Sequence, residues 1–117
     1  MIKNYLTTKK QRQEKSHGGT GVVDLYEIWE KANFESNIDF CDRVVVPPGS
    51  VIGYHQHGSN EEMYIVLEGE GLMTIDGEEV TVGKGDMILN PVGGKHGLVN
   101  NSANNIDLLV IQIAIND

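Results

Sequence analysis

Glycine cuts this sequence into apolar runs too short for helices. Fourteen glycines punctuate 117 residues, and the runs between them are rich in Val, Ile, Leu and Tyr, with few apolar positions recurring at helical spacing. The pattern predicts an all-β domain with strands at 22–29, 40–46, 52–57, 62–68, 71–75, 78–82, 86–89, 96–100 and 106–115. Register is readable at one hairpin. In GLMTIDGEEVTV the pair Asp76-Gly77 supplies the two positive-φ positions of a type I′ turn, so Ile75 should face Glu78 and Met73 should face Val80. The final run, IDLLVIQIAI, is apolar on both alternating sets. One set fits a sandwich interior, and the other needs a cover from the N-terminal segment or a second copy of the chain.

Size and charge narrow the partners. A mass of 12.9 kDa fits one domain able to bury a core without disulfides. Seventeen acidic against nine basic side chains give a formal charge of -8, which repels phosphate backbones and anionic headgroups, so neither nucleic acid nor membrane is an expected partner. The start, MIKNYLTTKKQRQEK, lacks the apolar stretch of a signal peptide, and no window reaches membrane-span length, so the protein is read as soluble and cytoplasmic. The single cysteine, Cys41, excludes an internal disulfide and a thiolate-rich zinc site, and reads as a small buried hydrophobe. Residues 1–21, with the basic run KKQRQEK and then SHGGTG, show no strand or helix period and read as an arm ending in a loop. Only EIWEKANFES, around 27–36, is expected to hold a helical turn.

The stretch GYHQHGSNEEM carries the chemistry. On a strand His55 and His57 project to one side of the sheet. After the polar loop GSNE, the even positions Glu62, Tyr64 and Val66 share a face, so Glu62 adds a carboxylate if that face is the inner one. Glu61 is the alternative, and the shared face with Tyr64 favours Glu62. Two imidazoles and a carboxylate suit non-haem Fe(II) and accept Mn, Co, Ni, Cu or Zn. A second block, GDMILNPVGGKHGLVNN, adds His96 near the start of another strand.

Together the two blocks resemble the paired motifs of the cupin superfamily. The first runs Gly49, His55, His57, Glu62, Gly69 and the second Gly85, Pro91, Gly93, His96, Asn100, separated by the short spacer 70–84 found in small single-domain cupins. The resemblance implies a double-stranded β-helix, a jelly-roll barrel of two sheets, with an N-terminal arm at 1–21 and the barrel domain at 22–117. It also implies one divalent metal ion inside the barrel, held by His55, His57, Glu62 and His96, with coordination positions open to water or substrate. Tyr64, Met73, Met87, Leu98, Ile111 and Gln112 are possible pocket-lining residues, and ordinary core is the competing role for each. His17 has no strand partner and reads as a solvated loop histidine, while Asn100 reads as a residue that satisfies backbone groups at a strand end.

Cupins with this ligand set include dioxygenases, decarboxylases, isomerases and epimerases. The resemblance therefore implies a metal-dependent enzyme on a small polar molecule without naming the reaction or a catalytic residue. An isomerase or lyase needs a proton-transfer group, for which Tyr64 and His17 are available. The competing reading is a non-catalytic module that binds a sugar or carboxylate through the metal. A purely structural metal is disfavoured, since a barrel of this length folds on its own apolar area. The arm and the doubly apolar last strand point to a homodimer.

Overall fold

The structure, a computed structural model, describes residues 1–14 and 16–115. Lys15 of the basic run and the last two positions of the 22–117 unit lie outside them. Among the described residues, ten strands form two antiparallel sheets: β1 (Lys10–Glu14), β2 (Val22–Glu30), β3 (Ile38–Val46), β4 (Val51–Gln56), β5 (Asn60–Glu68), β6 (Glu70–Ile75), β7 (Glu78–Gly83), β8 (Met87–Asn90), β9 (Lys95–Val99) and β10 (Ile106–Ala114). One sheet has the order β1-β2-β3-β10-β5-β8 and the other β4-β9-β6-β7. No helix among the described residues is long and apolar enough to cross a membrane.

Alternation sets which side chains enter the barrel. On β10, Ile106, Leu108 and Val110 are buried while Leu109, Ile111 and Ile113 face outward. The register carries this parity across the sheet: Val110 stands between Asp42 of β3 and Tyr64 of β5, and Ile111 between Cys41 and Met63. The Asp76-Gly77 turn has φ values of 47° and 84°, and it pairs Ile75 with Glu78 and Met73 with Val80 as its sequence dictates. Met73 and Val82 are buried, whereas Val80, nearer the tip, is 44% exposed. The helical turn expected within 27–36 is a single 3₁₀ turn, Lys31–Asn33.

The arm is more ordered than its sequence suggests. Residues 10–14 form β1 and pair with β2 of the same chain, from Lys10 opposite Tyr26 to Glu14 opposite Val22. A polar edge strand needs only backbone partners, so KQRQE carries no alternation to read. Upstream, Lys3 donates to the Ile28 carbonyl at 2.9 Å and sits over the Trp29 ring, and Arg43, bound by two hydrogen bonds to Asp107 at 2.8 and 2.9 Å, lies over Tyr5 and Tyr26. The N-terminal residues thus cover the outer faces of β2 and β3.

Downstream of β1 the chain crosses to the other sheet. A 3₁₀ turn, Ser16–Gly18, leads to Thr20, whose carbonyl accepts from Val51 N at 2.9 Å along the free edge of β4. The approach requires two facing glycines. A Cβ on Gly19 would meet the Val51 carbonyl oxygen, and one on Gly53 would meet the carbonyl oxygen of His17.

Candidate metal centre

Three strands and a loop deliver the cluster. β4 carries His55, and His57 lies just past its end, where its amide donates to the Gly94 carbonyl at 2.9 Å. β9 carries His96, directly opposite His55, and β5 carries Glu62. Gly97 permits this close pairing, since a Cβ there would lie 2.9 Å from the Tyr54 Cα. The Pro91–Gly94 turn, with φ 74° at Gly93, aims β9 back along β4.

The donor atoms converge. His57 Nε2 is 3.0 Å from His96 Nε2, which is 3.1 Å from His55 Nε2, and Glu62 Oε1 lies 3.3 Å from His57 Nε2 and 3.5 Å from His96 Nε2. Two of the other ring nitrogens are already committed, His55 Nδ1–H donating to the Gly53 carbonyl and His57 Nδ1–H to Asn60 Oδ1, both at 2.7 Å, whereas His96 Nδ1 is buried without a partner. That fixes the tautomers and leaves Nε2 lone pairs of His55 and His57 pointing inward. His96 Nε2 can offer at most one proton to this group. Several lone pairs and a carboxylate oxygen facing one point repel one another unless a cation sits among them.

The spacing fits such a cation. Two nitrogens each about 2.1 Å from one ion, at adjacent positions of an octahedron, lie about 3.0 Å apart. The mixed nitrogen and oxygen donor set is that of borderline divalent metals. Electrostatics agree, because burial, followed by the neighbouring His55 and His57, pushes His96 down to about 3, and burial also lowers His55, so these rings stay neutral and ligand-ready. Burial pushes the Glu62 carboxyl up, against the opposing pull of His57 and of the Tyr64 hydroxyl, which donates to it. Tyr64 itself is raised well above the usual phenol range by burial and then by Glu62.

Parity brings Glu62 rather than Glu61 to the cluster. Glu62 is 6% exposed and faces inward, whereas Glu61 pairs with outward-facing Ile113. Tyr64 lines the lumen, and Gln112 borders the mouth of about 400 Å³ with His55, His57 and Glu62 while donating to Asp39 at 3.1 Å. Met73 and Leu98, paired across β6 and β9, are core. Met87 and Ile111 are not at the lumen. Met87 pairs with Ile65 on the outer face of β8 and is 65% exposed, and Ile111 shares that outer face. Asn100 behaves as a strand-end clasp, its amide donating to Val46 O at 2.7 Å and Asn104 O at 2.8 Å.

His17 is an exposed loop residue, as its sequence suggests, but it also reaches the mouth of the barrel. Its ring stacks on His55 with centroids 3.6 Å apart and planes 7° from parallel, at the rim shared by the mouth and the inner lumen. The residue has φ 50°, a left-handed conformation that non-glycine residues rarely hold and that here turns the ring over the cluster. Three further residues were missed. Asn60 orients His57, and an amide three residues after a ligand was the available signal. Asp42 and Phe40 line the lumen from β3, where they share the inward parity of Val44 and Val46.

The family model described as the cupin domain matches residues 42–112. The chain belongs to the cupin family. Within it, the chain is 28% identical over 105 residues to an oxalate-binding protein of Thermotoga maritima, covering 90% of this chain and 87% of that protein. Among solved structures it superposes with a TM-score of 0.95 on a predicted oxalate decarboxylase from Thermotoga maritima, 26% identical, covering 98% of this chain and 100% of the other. The cupin domain of Schizosaccharomyces pombe Cnp3 shares the fold, with a TM-score of 0.78, 12% identity and coverage of 96% and 72%. This cupin has three histidines positioned so that they can hold a metal ion.

Proposed function

We propose that this cupin holds one divalent ion through His55, His57, His96 and Glu62 and uses it to bind and transform a small oxygen-bearing molecule. The observation that carries the reading is the convergence of three Nε2 atoms at 3.0 and 3.1 Å with the opposite nitrogens of His55 and His57 already spoken for. The bound ion would supply a Lewis acid with positions free for ligand oxygens. The chain does the rest: Asn60 and the Gly53 carbonyl hold two imidazoles in one orientation, Tyr64 anchors Glu62, and His17 covers the His55 face. A decarboxylation or isomerisation needs a proton at the product carbon, and Tyr64 and His17 are two donors that border the lumen.

The names of its relatives support two branches, decarboxylation and binding without turnover, and carboxylate ligands such as oxalate belong to both. The branches separate by assay of the metal-loaded protein with oxalate and related small acids. Product formation that disappears in His57→Ala supports catalysis. Saturable binding without product, lost in the same variant, supports a binding module, and activity unchanged in His57→Ala would remove the metal from either role.

We also propose that the chain pairs with a second copy through the outer face of β5, β8 and β10. That face carries Met87 at 65% exposure and Leu89 at 58%, beside Met63, Ile65 and Leu109, and the N-terminal residues that cover β2 and β3 do not cover these two. An apolar sheet face next to an edge strand is a surface that isolated domains avoid. Sedimentation equilibrium at micromolar concentration should give twice 12.9 kDa, and Leu89→Lys should return the monomer. A wild-type monomer would rule the pairing out.

A further inference from the structure

Behind the histidine cluster the barrel encloses a cavity of about 140 Å³ that shares His17, Phe40 and Glu62 with the mouth. Its polar lining includes a group the metal reading does not use. Asp42 enters from β3, is only 7% exposed, and its Oδ1 is fully buried without a hydrogen-bond partner. Its strand neighbours on the same face, Val44 and Val46, are core residues, so valine is a side chain this face already buries. A buried carboxyl oxygen with no donor costs stability that nothing within the described chain returns. Such a group persists where a ligand completes it.

The surroundings select the kind of ligand. Burial, and then Glu27 directly across on β2 and Glu62 beyond β10, push the Asp42 carboxyl up to about 7. With Phe40 it also borders a recess formed by Glu27, Trp29 and Glu30. A second anion placed against Asp42 would add to this negative field, whereas a hydroxyl proton would satisfy the orphaned oxygen. Volume limits size: a cavity of about 150 Å³ accepts benzene, so this one takes roughly six or seven non-hydrogen atoms.

We propose that Asp42 is a ligand-binding residue, accepting a hydrogen bond from the distal hydroxyl of a compact hydroxy acid whose carboxylate end sits at the histidine cluster. The inference rests on the metal-centre reading and extends it by assigning the far end of the ligand. Lactate and glycerate distinguish it, because both present a carboxylate with an adjacent hydroxyl and only glycerate carries a further hydroxyl. With cobalt(II)-loaded protein, calorimetry should show glycerate binding about tenfold more tightly than lactate, the net value of roughly one hydrogen bond. In Asp42→Val the preference should vanish while lactate affinity stays within about twofold.

Stability gives a readout that needs no metal. Metal-free Asp42→Val should melt several degrees above the wild type, since the substitution removes an unsatisfied group. A lower melting temperature would make Asp42 structural and overturn the inference. So would equal affinities for the two acids, a glycerate preference that survives in Asp42→Val, or a cobalt-loaded protein that binds neither. Failure to take up cobalt, scored by elemental analysis, counts against the metal centre instead, and the melting comparison then decides Asp42 alone.

Discussion

Adding a divalent ion to the metal-free protein should raise its melting temperature by roughly 10 to 20 °C without changing its β-sheet circular dichroism. Binding only to the folded state at about a thousandfold excess over the dissociation constant is worth about 4 kcal/mol, and each kcal/mol moves a domain of this size by several degrees. The sheet signal persists because the core, from Val46 and Met73 to Ile106 and Leu108, is buried independently of the cluster. His57→Ala should cancel the shift, since His57 touches both His96 and Glu62. Unfolding on chelation would instead mark the ion as a structural staple, and an unchanged melting temperature would dismiss the metal.

Acid should expose the same cluster in the metal-free state. His96 is held down to about 3 when folded and rests at 6.5 when unfolded. Both states are neutral above 6.5. Below it the unfolded chain takes up a proton that the folded one refuses, so stability falls by about 1.4 kcal/mol per pH unit until the folded value is reached. Asp42 runs the other way: raised from 3.8 to about 7, it carries a proton when folded that the unfolded chain lacks, so stability rises as pH falls between those values. The two slopes are comparable and offset one another between roughly pH 4 and 6.5. In urea titrations across that window the metal-free wild type should therefore lose less stability with acid than Asp42→Val, in which the offset from Asp42 is gone.

Gly53→Ala is expected to lower stability by about 3 kcal/mol, far beyond the cost of a typical glycine substitution. The added methyl would land on the His17 carbonyl oxygen and lie 2.8 Å from Gly19 N. Both obstacles are backbone, so relief requires the 16–20 segment to leave the β4 edge, taking the His17 ring off His55. Hydrogen exchange at the Val51 amide, which donates to Thr20, should accelerate sharply in the variant. Gly58→Ala, with open space around its Cβ, is the control and should leave both stability and exchange unchanged. Retained protection at Val51 in Gly53→Ala would contradict the packing.

These cases mark where sequence reasoning reached and where it stopped. Strands with one wet face declared themselves through alternation, and the Asp76-Gly77 turn fixed a register because only certain residues tolerate positive φ. Glu62 was separable from Glu61 by its parity with Tyr64. Met87 needed the pairing of β5 with β8, which strand boundaries alone do not supply, and so was placed on the wrong face. β1 was invisible because its pairing uses backbone groups, and His17 because its position depends on the contact between Gly19 and Gly53, thirty-four residues apart. Asp42 was legible as a charge at inward parity on β3, yet its lack of a partner is a property of the folded lumen.

The placement of β10 governs how this barrel assembles. It lies between β3 and β5, pairing Ile106 with Val46 and Ile113 with Ile38. Those partners are separated by 60 and 75 residues, so loop-closure entropy must be overcome before either contact stabilises anything. During synthesis, β3 and β5 emerge with unsatisfied edges and wait for a strand near the far end of the chain. Folding is then a late, millisecond-to-second event rather than a progressive one, and until that moment the nascent lumen has no wall on which its ligand could rest.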